Sequence, residues 1–526
     1  MYSFDSLTLK YFFIENADFI QNSIVQKIQL PSRYEIIFSI RNLKESKNKK
    51  LYININPKYP HICFLNDETY QKRDLKIPTS PPMFCMQLRK YLNGSKIKDF
   101  KLVEYERILE LYFDYFDEIG SLTRICLAVE LMGKHSNIIL YNAQNKVIIG
   151  SIHNISAEKS SIREIYGGIS YIYPPQKQKL DILNSSFSTF CEIAKDNDVV
   201  KISNNFYYFN QAILNSVFEK YYDKKEIFDF LQKIQNGENF EFIKKFWSNK
   251  ETVNDSIDDY FSKIMFDEIL NSKKVKLRKY LHKDLKKIQA ILKNKPDDLK
   301  AQNYKLKADL LMAYMYSVQN YDKKIVLDDV EIELDETISL NDNAQKYYSL
   351  YKKSKTSYEH SFSRYKEALD KYNYFDEIIF AIDNSNVFSQ LEEIKDELIE
   401  IGLINEKKVS KNISPIEKIE FKGFEIYIGK NNKQNDYLIS KLAKGEDLWF
   451  HGLNFPSSHI ILKVPNDSNA PDREVLEFCA QLVKDNSKAK NSGKTSIIMT
   501  QRKNLRKPPN TYLGYVTYKN EVEIVI

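Results

Sequence analysis

The chain has 526 residues, a formal net charge of +7 and an apolar content of 43%. That length exceeds what one core usually organises, so three or four domains are expected, and the apolar and aromatic content excludes a disordered chain. Scarce Gly (14) and Pro (15) favour long regular elements. The five cysteines, Cys63, Cys85, Cys126, Cys191 and Cys479, are dispersed and form no CxxC. They read as buried thiols in a reducing compartment, not as a disulfide frame or zinc site. The N-terminal stretch carries Asp5, Glu15 and Asp18 where a signal peptide would be basic, and no apolar run is long enough to span a bilayer. A cytoplasmic protein without membrane contact is expected.

Residues 1–176 read as mixed and β-rich. A helix-like first segment precedes QKIQLPSRYEIIFSIR, KLYININPKYPHICFL and RILELYFDYF, short β-branched and aromatic runs punctuated by Pro, Asn and Asp. Pro81-Pro82 can open a helix with Met83, Met86, Leu88 and Leu92 on its apolar side, stopped at Asn93-Gly94. Gly167-Gly168 marks a turn and Pro174-Pro175 a boundary. Residues 177–250 read as a compact set of short helices. Residues 251–412 read as a long antiparallel coiled-coil hairpin, with two core helices of a bundle as the plainer alternative. Leu277, Leu281, Leu285, Ile288 and Leu292 form a seam that resumes at Leu299, Leu306, Leu310 and Ala313 after Pro296-Asp297-Asp298. It returns through Tyr358, Phe362, Tyr365, Leu369, Tyr372 and Ile379, with the alternating KKIVLDDVEIELDETISL between the two arms. Residues 413–526 read as a separate α/β domain, with a hairpin turning at Lys422-Gly423 and an amphipathic helix over DREVLEFCAQLVKDNSKAK. The fold class is multidomain α+β.

Two segments are strongly basic. Residues 271–310 hold thirteen Lys/Arg against four Asp/Glu, among them Lys273, Lys274, Lys276, Arg278 and Lys279. Residues 484–507 hold eight against one, among them Arg502, Lys503 and Arg506. Charge this lopsided suits a polyanion, bound through backbone and shape because no base-reading motif accompanies it. A solvated lysine face is the plainer alternative. Catalytic signatures are missing. The seven histidines form no HxxxH or HExxH, there is no GxSxG, and NSGKTS (Asn491 to Ser496) lacks the upstream glycine of a P-loop because position 488 is Lys. No metal, cofactor or enzymatic activity is expected.

What remains are polar clusters embedded in strands. One is Gly133 to Asn137 within LAVELMGKHSNIILYN. A second holds Asn435, Asp436, Trp449, His451, Ser457, Ser458 and His459. A third is Glu106-Arg107 at a strand start, with Asp5 near the N-terminus. Each is compatible with a purely structural hydrogen-bond network. Three of them beside basic arms suit a large polar partner.

At these residues the sequence resembles the NFACT family of RqcH-type ribosome quality-control factors, relatives of NEMF. ELMGKHSNIIL resembles the family's E-[LI]-M-G-[RK]-H-S-N strand. PPMFCMQLRKYL, REIYGGISYIYPP, KADLLMAYM, NDNAQKYYSLYKKSK and NDYLISKLAKGEDLWFHGLNFPSSHIIL resemble further family blocks, in order along nearly the whole chain. The resemblance implies an NFACT-N domain (1–176), a helix-hairpin-helix-type module (177–250), the coiled-coil hairpin (251–412) and an NFACT-R domain (413–526).

It also implies a function. Such a factor binds large ribosomal subunits obstructed by peptidyl-tRNA and recruits alanyl-tRNA, so that a C-terminal alanine tail is added without mRNA and marks the chain for degradation. The peptide bond would be made by the ribosome. Asp5 matches a family Asp, and Glu106-Arg107 matches an Asp-Arg pair linked to tRNA recruitment, with Glu in place of Asp. Glu130, Met132, Lys134, His135 and Asn137 would shape the tRNA-facing side. The Lys/Arg residues named above would meet rRNA. Asn435, Asp436, Trp449, His451 and His459 would form the NFACT-R polar cluster. A stalk-base ribosomal protein would meet the hairpin tip. Ser457 replaces a family glycine and would be strained if that position required positive φ. The NFACT-N domain is also similar to the β-domain of formamidopyrimidine-type DNA glycosylases. Tyr2 stands where their proline nucleophile would be, so no action on DNA is expected. The competing readings are a fibronectin-binding surface adhesin and a ribosome-bound scaffold without tailing activity.

Overall fold

Asp5 starts the first helix. Its carboxylate accepts the Thr8 N–H at 2.7 Å and so caps α1 (Ser6–Gln21), satisfying a donor that no helical carbonyl can reach. The computed structural model describes residues 3–73, 75–116, 120–158, 160–195, 197–318, 321–406, 413–464, 471–509 and 511–526. The sequence boundary at 412 and Tyr2 lie outside the described residues. Compact packing divides the chain into two units, residues 1–268 and 269–526.

In the first unit α1 is followed by an antiparallel meander of β1 (Ser23–Ser32), β2 (Glu35–Asn42), β3 (Asn48–Asn54) and β4 (His61–Leu65). Then come α2 (Asp67–Lys72) and α3 (Met83–Leu92). Helix α3 lies where Pro81-Pro82 suggests, but its inner face is Phe84, Cys85, Leu88 and Leu92, while Met83 and Met86 are exposed. Packing against β1 selects the face that carries the ring and the thiol. A second antiparallel meander runs through β5 (Ile97–Leu102), β6 (Ile108–Phe116), β7 (Leu122–Glu130), β8 (Asn137–Asn142) and β9 (Ile148–Ser151).

The small helices α4 (Phe187–Ile193), α5 (Val199–Asn205), α6 (Gln211–Lys220), α7 (Lys224–Asn236) and α8 (Phe240–Trp247) are each opened by a side-chain cap. The caps are Ser186, Asp198, Asn210, Asp223 and Asn239. Their inner residues, including Phe190, Ile202, Leu214, Leu231 and Trp247, join the same core as α1 and the sheets. Val253, Ile257 and Phe261 from the start of α9 (Val253–Leu292) join it too. A sealed ion pair fixes α9 there. Arg73 and Asp258, both without solvent exposure, meet at 2.7 Å. Thr69 donates to the same carboxylate at 2.5 Å, and the guanidinium lies 3.1 Å from His61 Nε2.

Helix α9 has 40 residues, a span of about 60 Å. It stops before Pro296, and α10 (Leu299–Ala313) resumes. A two-stranded hairpin, β10 (Lys324–Leu327) and β11 (Val330–Glu333), turns through Asp328 and Asp329, both with positive φ as a tight hairpin turn requires. Helix α11 (Leu340–Asn384) then runs back, and α12 (Phe388–Glu400) folds at its end. The arms are antiparallel: Tyr304 lies 6.2 Å from Tyr347, Lys371 pairs with Asp284 at 3.6 Å, and Arg278 pairs with Asp383.

Leu277, Leu281 and Ile288 are buried as expected. The seam of α10 is only partly the one read from the sequence: Leu310 is buried as expected. Leu299 and Leu306 are exposed, and Ala301, Ala308 and Leu311 face inward. On α11, Phe362 and Leu369 are exposed while Ala368, Phe375 and Ile382 are buried. Alanines share the buried stripes with Leu310, Leu311, Phe375 and Ile382, so the partner surface and not leucine spacing sets the rotation of each helix.

The final domain is a six-stranded antiparallel sheet in the order β12-β13-β15-β14-β16-β17. The strands are β12 (Glu417–Phe421), β13 (Phe424–Ile428), β14 (Leu448–Gly452), β15 (Ile460–Leu462), β16 (Ser496–Gln501) and β17 (Val522–Val525). Helix α13 (Asn432–Tyr437) follows β13. Helix α14 (Arg473–Asp485) covers one face with Val475, Cys479 and Val483. The Lys422-Gly423 turn is present, with both residues at positive φ. Among the described residues no helix is long and apolar enough to cross a membrane.

Candidate nucleic-acid interface

Three chain segments of the first unit converge on an open polar pocket of about 510 Å³. The N-terminus supplies Ser3, Asp5 and Ser6, the start of β6 supplies Arg107, and the helical module supplies Lys179, Ser203 and Tyr208 to Ala212. The second oxygen of Asp5 accepts a hydrogen bond from the Asn210 amide, while Asn210 Oδ1 accepts the Ile213 N–H and caps α6. Arg107 donates to the Phe4 carbonyl at 3.1 Å, which holds the guanidinium at the mouth beside Asp5.

Burial dominates the electrostatics. It pushes the Asp5 carboxyl up to about 6, against the pull of the Thr8 hydrogen bonds and the nearby Arg107 charge. Burial also lowers Arg107, which Asp5 and Glu106 oppose. Glu106, half-buried, is raised by desolvation, with Arg107 acting the other way. Lys179 is lowered by burial and donates to the Ser203 carbonyl at 2.6 Å. Asp5, Arg107 and Lys179 are thus desolvated charges at an open pocket, which makes it a candidate site for a polar ligand.

The other residues taken from the sequence have varied placements. Gly133 to His135 form one 3₁₀ turn between β7 and β8, with Gly133 at φ +61. A tight strand reversal therefore accounts for the break in LAVELMGKHSNIILYN. Lys134 and His135 are exposed at that turn and Met132 is half-buried. Glu130 is fully buried: Arg163 reaches both its oxygens at 2.8 and 2.5 Å, and Tyr171 donates at 2.9 Å. Asn137 is also buried and bonds the backbone of His153 through both ends of its amide. Glu130 and Asn137 thus spend their polar atoms inside the fold.

In the second unit Lys273 and Lys274 are half-buried. Lys273 lies 3.5 Å from Glu392, and Lys274 donates to the Asp383 carbonyl at 2.7 Å. Lys276 and Lys279 are exposed, as are Lys283 and Lys286 further along α9. Among the described residues Lys279, Lys283 and Lys286 have no carboxylate at ion-pair distance. The hairpin tip is the reverse: residues 322–342 hold eight Asp/Glu against two Lys. Arg502 is bonded to the Ile439 and Leu505 carbonyls, Lys503 pairs with Glu446 at 3.0 Å, and Arg506 is exposed.

Trp449, His451 and His459 do gather. The Trp449 ring lies parallel to His451 at 5.5 Å and edge-on to His459 at 5.4 Å. Burial holds His451 down to about 4 and His459 well below its usual range, so both are neutral. Asn435 Oδ1 accepts the His459 N–H at 3.3 Å, and Asp436 pairs with Lys507. Ser457 is not among the residues of positive φ; its hydroxyl accepts the Gly452 N–H, so the exchange from glycine carries no backbone strain.

Asp5 and Arg107, singled out from the sequence, line this pocket together with Lys179, Ser203, Tyr208, Asn210 and Gln211, which were not. Asn210 caps α6. Its second role, on Asp5 more than two hundred residues away, has no local signature.

A β-rich first unit with an open polar pocket, a long helical hairpin and a C-terminal sheet domain define a multidomain α+β architecture. The chain belongs to the NFACT family. Residues 5–213 and 208–415 match the NFACT N-terminal and middle domains, and residues 417–520 match the NFACT protein RNA binding domain. It is 29% identical to the Rqc2 homolog RqcH of Streptococcus suis, over 99% of this chain and 97% of that protein. It is 27% identical to the Rqc2 homolog RqcH of Bacillus subtilis, over 100% and 98%. A solved structure, the N-terminal part of the fibronectin/fibrinogen-binding protein of Streptococcus suis, is 27% identical with a TM-score of 0.39, covering 44% of this chain and 84% of that one.

Proposed function

We propose that this protein is a ribosome-associated quality-control factor that binds obstructed large ribosomal subunits carrying peptidyl-tRNA and recruits alanyl-tRNA, so that a C-terminal alanine tail is added without mRNA. The observation that carries this reading is the pocket where Asp5, Arg107 and Asn210 meet, in a chain similar to RqcH proteins over nearly its whole length. An arginine fixed at a pocket mouth offers donors in a rigid fork, suited to phosphate or base edges. In this reading the pocket positions tRNA and the ribosome makes the peptide bond, so the protein needs no nucleophile of its own. The exposed Lys276, Lys279, Lys283 and Lys286 would follow an rRNA backbone. The acidic tip would be repelled by RNA and suits a basic ribosomal protein, such as one at the stalk base.

The test is a sucrose-gradient pull-down of the tagged protein from its host, with the bound RNA sequenced. Large-subunit rRNA with one enriched tRNA species is the expected result, and that species names the added amino acid. Large-subunit rRNA with no enriched tRNA would replace tailing by a scaffold role. Absence of ribosomal RNA at moderate salt would overturn the reading and leave the adhesin.

A further inference from the structure

The two loops that build the pocket each contain a tyrosine in the left-handed backbone region, Tyr105 at φ +65 and Tyr208 at φ +69. Residues with a Cβ avoid that region, and such conformations persist where surrounding contacts over-determine them. Here the contacts are mutual. The Tyr105 N–H donates to the Tyr208 hydroxyl at 3.2 Å, and the two rings lie 5.6 Å apart. The Tyr105 ring also stacks on Tyr207 at 4.2 Å and 22°. Its hydroxyl donates to Asp181 at 3.0 Å, and Gln235 donates to the other oxygen of that carboxylate at 2.5 Å. Lys10 lies 5.2 Å from the centre of the Tyr208 ring.

Two residues after Tyr105 stands Arg107, and two residues after Tyr208 stands Asn210. These are the two groups that hold or face Asp5 in the pocket. We infer that Tyr105 is a positioning residue, clamped by Tyr207, Tyr208 and Asp181 so that the β5–β6 turn and the helical module present Arg107 and Asn210 to tRNA as one rigid pair. The inference rests on the tRNA reading of the pocket proposed above. Tyr105 and Tyr207 do not line the pocket, so an effect on binding must pass through Arg107 and Asn210. Glycine at position 105 would relieve the backbone while removing the clamp, which separates positioning from a merely tolerated turn conformation.

The experiment titrates alanyl-tRNA into the full-length protein and measures affinity for large ribosomal subunits and the thermal midpoint beside it. Tyr105→Gly and Tyr207→Leu are expected to weaken tRNA binding about tenfold or more, with subunit affinity and midpoint unchanged. Tyr105→Phe, which keeps the stack but loses the Asp181 hydrogen bond, is expected to bind more weakly than the parent and more tightly than Tyr105→Gly. Parent-like tRNA binding by Tyr105→Gly, while Arg107→Ala loses it, overturns the inference and leaves the pocket reading standing. Undiminished binding by Arg107→Ala removes the pocket reading and the inference with it. Equal loss of tRNA and subunit affinity in the clamp variants would mark general damage and also overturn the inference. If Tyr105→Gly does not fold, Tyr207→Leu decides by the same criteria, because it leaves the left-handed backbone untouched.

Discussion

Two of the guanidinium–carboxylate neighbours in the first unit are treated in opposite ways. Arg73 and Asp258 are sealed from water, joined at 2.7 Å and surrounded by Thr69, His61 and Cys63. Arg107 and Asp5 lie beside each other without being spent on each other: Asp5 serves Thr8 and Asn210, Arg107 serves a carbonyl, and both line a pocket. The sealed pair can only hold α9 against the sheet. The open pair keeps hydrogen-bonding capacity that folding does not consume, and that surplus is what a ligand can use.

The sharpest way to break this comparison is to cut the sealed pair. Arg73→Ala strands the Asp258 carboxylate in the core and is expected to cost about 3–5 kcal/mol of stability, read by denaturant unfolding. Arg73→Met with Asp258→Leu is expected to recover most of that loss, because two apolar groups need no partners. Arg107→Ala should do the converse. Stability stays nearly unchanged while tRNA affinity falls by about 1–3 kcal/mol in an equilibrium titration.

The second unit offers another sealed group. Glu397 accepts the Tyr374 hydroxyl at 2.6 Å and the Asn432 amide at 3.0 Å, which fastens α12 to α11 and α13. Burial raises Glu397 and its neighbour Glu377 to about 7 from an ordinary 4.5. The folded state therefore holds protons that the unfolded chain has released. The stability contributed by these groups is full below pH 4.5 and declines as pH rises to about 7; one carboxyl shifted that far accounts for about 3 kcal/mol, read in urea titrations across that range. Glu397→Gln keeps the acceptor and should flatten the profile. The smallest effects belong to open cations. Each of Lys279→Ala, Lys283→Ala and Lys286→Ala should reduce the salt dependence of rRNA binding by about one counterion and leave unfolding unchanged.

Much of the fold was legible in the sequence. The strand runs, the Pro296 interruption, the Lys422-Gly423 turn and the amphipathic α14 rest on local periodicity and turn chemistry, which act within a few residues. Helix faces were less legible. Met83, Met86, Leu299, Leu306, Phe362 and Leu369 all carry the apolar signal of a core yet are exposed, because helix rotation is chosen by the partner surface. The partners of buried charges were not legible either: the Glu130 carboxylate, within the ELMGKHSNIIL block, is engaged by Arg163 and Tyr171.

By itself the sequence determined the order of the main strand and helix runs, the basic stretches at 271–310 and 484–507 and the family blocks that point to RNA, since all of these are properties of residues and their near neighbours. Only the tertiary structure decided which charges are consumed and which remain open. Asp5, Arg107, Lys179 and Asn210 are scattered over more than two hundred positions. Whether they form a pocket depends on how α1, β6 and α6 pack and on two tyrosines held in a backbone conformation that no local pattern announces.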